Sequence, residues 1–132
     1  MNVISKASLY GIKAAIFLAK QPRKTFIPIS KISKNINIPF HYLAKILQEM
    51  RKAEIISSSK GSKGGVYLTK TADQITVYDI VFSIEGNNNL ANFRDYKLEN
   101  KLDDKEIDLL LINIENDIKN VLVKKTIDNC II

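Results

Sequence analysis

Cysteine and histidine occur once each in these 132 residues, as Cys130 and His41. A lone thiol closes no disulfide within the chain, and one thiol with one imidazole falls short of the four ligands of a structural zinc site. Catalytic sets are missing too. No motif places a nucleophile beside a base, and no phosphate-cradling glycine loop opens a helix, because Gly61, Gly64 and Gly65 fall inside a hairpin pattern. Neither an enzyme nor a cofactor is expected. No apolar run reaches the roughly 18 residues of a membrane span. Lys6 and Lys13 interrupt the N-terminal apolar pattern, unlike a signal-peptide core. The expectation is a cytoplasmic protein without a membrane partner.

Acidic residues are scarce in one half only. Residues 1–70 hold 13 Lys and Arg against Glu49 and Glu54, a balance of +11, whereas residues 71–132 hold 7 against 12, a balance of −5. Concentrated basic charge suits a polyanion, because each neutralised phosphate releases condensed counterions. A merely solvated lysine-rich surface is the plainer alternative. The length, with 45% apolar and 26% charged residues, fits one domain with an appended helix.

What the chain does contain is a run of periodic segments. Ser5 to Lys20 puts Leu9, Ile12, Ala15, Ile16 and Ala19 on a broad apolar face and Lys6, Lys13 and Lys20 opposite, a scaffold helix with Lys6 near phosphate. Residues 21–28, with two prolines, read as a loop or a short edge strand ending at Ile27. Ile29, Ile32 and Ile36 mark a short helix that Ser30 is placed to cap. After the break at Asn37 and Ile38, Pro39 suits the first position of a second helix, running to about Ala53. There Leu43, Ile46, Leu47 and Met50 form an apolar stripe, and His41, Lys45, Gln48 and Lys52 a polar one. Residues 55–58 and 66–69 are β-prone, with Lys60, Gly61, Ser62, Lys63, Gly64 and Gly65 as a hairpin tip between them.

Beyond the tip, Thr76 and Asp79 form a capping box, and Val77, Ile80, Val81 and Ile84 make a helix that stops at Gly86 and is expected under the wing. Residues 87–102 are asparagine-rich and lack a period, so they read as a linker. A long helix then begins at Asp103 and Asp104 and ends near Lys124 and Lys125. Its stripe of Ile107, Leu110, Leu111, Ile114, Ile118, Val121 and Leu122 is about 30 Å long at 1.5 Å per residue. Surplus apolar length of that kind packs against the same helix of a second chain. The alternative is a core helix folding back on its own domain.

The fold class expected is mainly α with a small β-hairpin wing. A winged helix-turn-helix domain occupies 1–86, a linker 87–102, and a dimerisation helix with a C-terminal tail 103–132. Phe40, His41, Tyr42 and Lys45 lie at the end of the second helix that reads bases, with Gln48 a turn further and Arg51 and Lys52 toward the exit. For His41 the alternative is an ordinary surface histidine, and for Tyr42 it is core packing. Lys60, Ser62 and Lys63 on the tip, with Lys6, suit phosphate contacts. The partners expected are double-stranded DNA with a palindromic site, a second copy of the chain, and a protein or small-molecule effector. The competing reading is an interaction module docking a partner enzyme or assembly factor, with weak, salt-insensitive DNA binding.

Five segments in order carry a family resemblance: Ile4-Ser5-Lys6 with Tyr10-Gly11-Ile12, the helix Ile38 to Leu47, the exit Arg51 to Ile56, the tip Lys60 to Gly65, and Ile75 to Ile80 with Ile84-Glu85-Gly86. Together they resemble the Rrf2 family of bacterial transcription regulators over about residues 3–86. The resemblance implies a homodimeric winged-helix regulator, here a repressor, whose C-terminal helices cross between subunits. Members that sense through an iron-sulfur cluster carry three cysteines just after the Glu-Gly at the end of the helix that stops here at Gly86. Here Gly86 to Asp95 contains none, which implies a branch without a cluster. Lys60 also stands where the family commonly has arginine, giving up a bidentate fork, and the wing tyrosine is displaced to Tyr67. Cys130, near the C-terminus, is the remaining redox candidate, as an intersubunit disulfide or an unremarkable terminal thiol.

Overall fold

The computed structural model describes residues 4–86 and 104–132; the expected linker and the expected helix start at Asp103 lie outside the described residues. Helix α1 (Lys6–Ala19) begins at Ser5, whose side chain accepts from the Ser8 amide at 3.1 Å. The Glu85 carboxylate accepts from the Ser5 amide at 2.7 Å, so a distant residue satisfies another donor at the start of α1.

Helix α2 (Ile29–Ile36) starts earlier than its serine suggests. Pro28 is the N-cap, and its carbonyl accepts from Lys31 and Ile32, while Ser30 is exposed and makes no capping bond. The reason lies one residue upstream. Both backbone groups of Ile27 are committed to Val66, each at 2.9 Å, so the chain leaves that bridge at Pro28 and turns at once into the helix. At the other end Asn37 takes the left-handed conformation (φ 57°, ψ 49°) that asparagine tolerates, and its amide bonds the Ser33 carbonyl. The Ser33 hydroxyl donates to the Ile38 carbonyl and the Lys13 ammonium to the Ile36 carbonyl, so the corner between the two helices has few loose polar groups.

Helix α3 (Phe40–Lys52) follows, with Pro39 as N-cap and not as first helical residue. Leu43, Ile46, Leu47 and Met50 are all buried, against Ile32 and Ile36 of α2 and Ala14, Ala15 and Leu18 of α1. Its C-terminal end is a Schellman motif: the Ile55 amide reaches the Met50 carbonyl and the Glu54 amide the Arg51 carbonyl, both at 2.9 Å, with Glu54 at φ 63°.

Strands β1 (Ile56–Ser59) and β2 (Gly65–Leu68) form an antiparallel pair, in register from Ile56 opposite Leu68 to Ser59 opposite Gly65. Ile27 adds a single bridge on the far side of β2, the observed form of the expected edge strand. Gly65 is required there, because a Cβ would lie 2.2 Å from the Ile27 carbonyl oxygen. Arg23 fastens the same region by donating to the Leu68 and Lys70 carbonyls, each at 3.0 Å, and Phe26 packs on the displaced Tyr67.

Helix α4 (Val77–Glu85) has the expected capping box between Thr76 and Asp79. Its place is a correction. It packs against α1, α3 and the long helix, not under the wing. Gly11 on α1 permits this approach, since a Cβ there would meet Ile84 and Ile80 of α4. The long helix α5 (Lys105–Lys124) is capped by Asp104, whose carboxylate accepts from the Glu106 and Ile107 amides.

The chain then returns to the winged domain. The Val77 amide bonds the Lys125 carbonyl at 2.7 Å, the Ile127 amide bonds the Ile75 carbonyl at 2.9 Å, and Ile127 is fully buried in the main core. Residues 125–130 are thus not a loose tail beside the helix but the closing piece of the domain expected at 1–86. Cys130 sits in a 3-10 turn (Asp128–Cys130), and its thiol donates to the Thr126 carbonyl at 3.4 Å. It is partly buried and packs against the cluster of Val77, Val81 and Leu122.

Candidate nucleic-acid interface

With one stripe of α3 buried, the opposite side is turned to solvent. His41, Lys45, Gln48 and Lys52, at spacings of four, three and four, are all exposed. Among the described residues the side chains of Lys45 and Gln48 make no hydrogen bond or ion pair within the chain. Lys52 is engaged with Glu49 at 3.3 Å, an exposed pair on the helix's own surface. Arg51 is exposed at the helix exit.

The start of α3 is an aromatic cluster. Phe40 is exposed, with the His41 ring edge-on to it at 5.3 Å. Tyr42 resolves its two readings by being partly both: 40% exposed, it meets the ring of Tyr10 edge-to-face at 5.6 Å. Lys6 places its ammonium 5.5 Å from the centre of the same Tyr10 ring. Tyr10 thereby links Lys6 on α1 to Tyr42 on α3, a role that sequence reading missed. The signal was there: Lys6 and Tyr10 lie four residues apart, on one side of α1.

On the hairpin tip Lys60, Ser62 and Lys63 are exposed. The tip is held by glycine geometry: the Gly64 amide bonds the Gly61 carbonyl at 3.0 Å, and a Cβ on Gly64 would lie 2.3 Å from the Ser59 carbonyl oxygen. Packing does not call for basic residues on such a tip.

The expected subunit seam divides in two. Leu122 is 7% exposed and packs against Val77 and Val81 of its own α4, with Ile118 beside it. These two residues serve the chain's own core, and Leu122 is removed from the seam because its surface is already spent. Leu110 and Val121 are 52% and 57% exposed, and Ile107, Leu111 and Ile114 are partly buried.

A helix-turn-helix with an outward polar face, followed by a basic two-stranded wing, is the geometry of a DNA-binding domain. The family model described as "Rrf2: Iron-dependent Transcriptional regulator" matches residues 4–131. The chain belongs to the Rrf2 family. Two relatives are named as HTH-type transcriptional regulators: one from Synechocystis sp. is 34% identical over 82 residues, and one from Aquifex aeolicus is 34% identical over 79. Those stretches cover 62% and 60% of this chain, but only 56% and 54% of the relatives, so the chain spans little more than half of their length. Among solved structures, this Rrf2 protein is similar to CymR of B. subtilis, described as its global cysteine regulator (27% identity, TM-score 0.74), and to oxidized CymR of Staphylococcus aureus (26%, TM-score 0.72); both matches cover 96% of this chain and 94% of the other. IscR of T. potens, at 23% identity and TM-score 0.73, shares the fold over 96% of this chain and 84% of its own. The named relatives are regulators, not enzymes.

Iron appears in the family description, but the donors of this Rrf2 chain do not fit a thiolate-held cluster. Cys130 is the one cysteine, and residues 87–103 contain neither cysteine nor histidine. Among the described residues no three His, Cys, Asp or Glu side chains are grouped as metal ligands. Nor, among those residues, is any helix long and apolar enough to cross a membrane.

Proposed function

We infer that this Rrf2 protein is a cytoplasmic, homodimeric transcription repressor that reads a palindromic operator without an iron-sulfur cluster. The observation that carries this is the outward face of α3, where Lys45 and Gln48 are exposed and unengaged at the centre of the half of the chain that bears the +11 balance. In this reading α3 enters the major groove with Phe40, His41, Tyr42, Lys45 and Gln48 toward the bases. Arg51, Lys52 and Lys6 meet flanking phosphates, and Lys60, Ser62 and Lys63 place the wing on the backbone.

Residues 1–86, closed by 125–130, act as the reading unit and Lys105–Lys124 as the coupling helix, with Ile107, Leu110, Leu111, Ile114 and Val121 as the seam to a second chain. The exposed Leu110 and Val121, flanking Ile114 on α5, support that seam. A groove of about 980 Å³ between the exit of α3, β1 and α4, walled by Arg51, Ile55, Ser58, Tyr78 and Phe82, offers a small-molecule or protein effector a place beside the reading helix.

The test is titration of an operator duplex with the wild-type protein and with Lys60→Ala/Lys63→Ala. Loss of two phosphate contacts lowers affinity evenly across sequences and reduces the salt slope by about 2. Unchanged binding removes the wing from the interface. Weak binding that ignores salt in the wild type identifies a protein-docking module in place of a DNA reader.

A further inference from the structure

The outward strip of α3 is unusual in its hydrogen-bonding chemistry, and that chemistry bears on which bases it accepts. Of His41, Lys45, Gln48 and Lys52, two are cationic donors with no acceptor, and no carboxylate stands among them. Of the acidic residues near this helix, one is paired at the exit end of the strip and the other lies past the helix. Glu49 is drawn to Lys52 at 3.3 Å, and Glu54 sits beyond the C-cap in the left-handed turn. Lys45 and Gln48 both lie on the side of α3 away from the buried stripe of Leu43, Ile46, Leu47 and Met50, and they are the strip's two side chains without a partner among the described residues, since His41 meets the Phe40 ring and Lys52 pairs with Glu49. Arg51 and Lys52 lie more than a turn beyond it, at the exit of the helix.

We propose that Lys45 is the specificity-determining residue of this interface and selects a guanine in each half-site, with Gln48 reading an adenine on the neighbouring base pair. This deepens the proposed function and rests on it. In the major groove guanine presents two acceptors, O6 and N7, on one base edge, whereas adenine and cytosine each present an amino donor there. An ammonium matches the first edge, is repelled by the amino groups of adenine and cytosine, and finds on thymine a single acceptor, O4, beside the C5 methyl. The Gln48 amide carries one donor and one acceptor, the complement of adenine N7 and N6. Lys45 and Gln48 are separated by about 4.5 Å along the helix at 1.5 Å per residue, close to the roughly 3.4 Å between successive bases. Lys45 therefore addresses one base pair and Gln48, about one turn on, its neighbour.

The experiment is selection of bound duplexes from a randomised pool at fixed salt, run with full-length wild type, Lys45→Glu, Lys45→Ala and Lys63→Ala. The wild type should enrich sites in which each half carries guanine beside adenine. Lys45→Glu, an exposed substitution that the fold tolerates, should replace that guanine by cytosine, whose N4 amino group donates to a carboxylate, and leave the other positions unchanged. Lys45→Ala should lose most of a discrimination of about tenfold or more at that one position. Lys63→Ala should weaken binding with no change in base preference. Enrichment of a site without the guanine, or an unaltered preference in Lys45→Glu, overturns the assignment of Lys45 while leaving the DNA-binding function standing. No enrichment of any sequence by the wild type overturns both.

Discussion

Glu54 occupies a left-handed position that glycine usually fills at the end of a helix, with φ 63° and both Schellman hydrogen bonds in place. The Cβ of a non-glycine residue there costs about 1 kcal/mol. Glu54→Gly is therefore expected to raise unfolding stability by about that amount, and Glu54→Ala to leave it nearly unchanged, measured by urea denaturation of the three proteins. A loss of stability in Glu54→Gly would mean that the side chain carries an interaction worth more than the strain. At this scale the sequence was only partly legible. The capping box of Thr76 and Asp79 was readable because its two partners are three residues apart. The start of α2 was not, because the bridge that sets it pairs Ile27 with Val66, nearly forty residues away. The period of α1 gives Tyr10, a residue of the family-like opening, no partner either, since its ring contact with Tyr42 crosses from α1 to α3.

Among the elements, the helices and hairpin were legible because each has its own period, and α3 divides into its two faces as the spacing indicates. What the pattern could not say is which neighbour a face meets. The stripe along α5 is continuous in sequence, yet Leu122 and Ile118 belong to the chain's own cluster, whereas Leu110 and Val121 face out. Two substitutions separate these roles. Leu122→Asp puts a carboxylate against Val77 and Val81, where an unpaired charge costs about 3 kcal/mol or more, and is expected to lower the melting temperature of the whole protein sharply. Ile114→Asp is expected to keep the helical signal but to sediment as a monomer and to lose preference for a palindromic site. If Ile114→Asp stays dimeric and binds its site normally, the seam lies elsewhere on the molecule.

For the whole molecule, the charge asymmetry and the order of segments pointed to the function, but the return of the chain did not show in its pattern. Ile127 enters the core through a bond to Ile75, a contact of high sequence separation that no local period encodes. Helix α5 is thereby held at its C-terminal end against α4 of the winged domain. The same scale governs the cofactor. Two chains together offer two thiolates against the four ligands usual for a cluster. Protein purified from anaerobic cells is expected to be colourless, with neither stoichiometric iron nor sulfide; a brown protein containing both would contradict this.

In the function proposed for this protein, the basic half of the chain grips the phosphate backbone of a duplex as a dimer. The most direct test is the affinity of full-length protein for an operator duplex measured across a series of salt concentrations, with the stoichiometry determined at each. If about six phosphates are engaged, log affinity should fall against log salt with a slope near −5, at two chains per duplex. A flat response, or one chain per duplex with undiminished specificity, would rule out dimeric binding to the phosphate backbone.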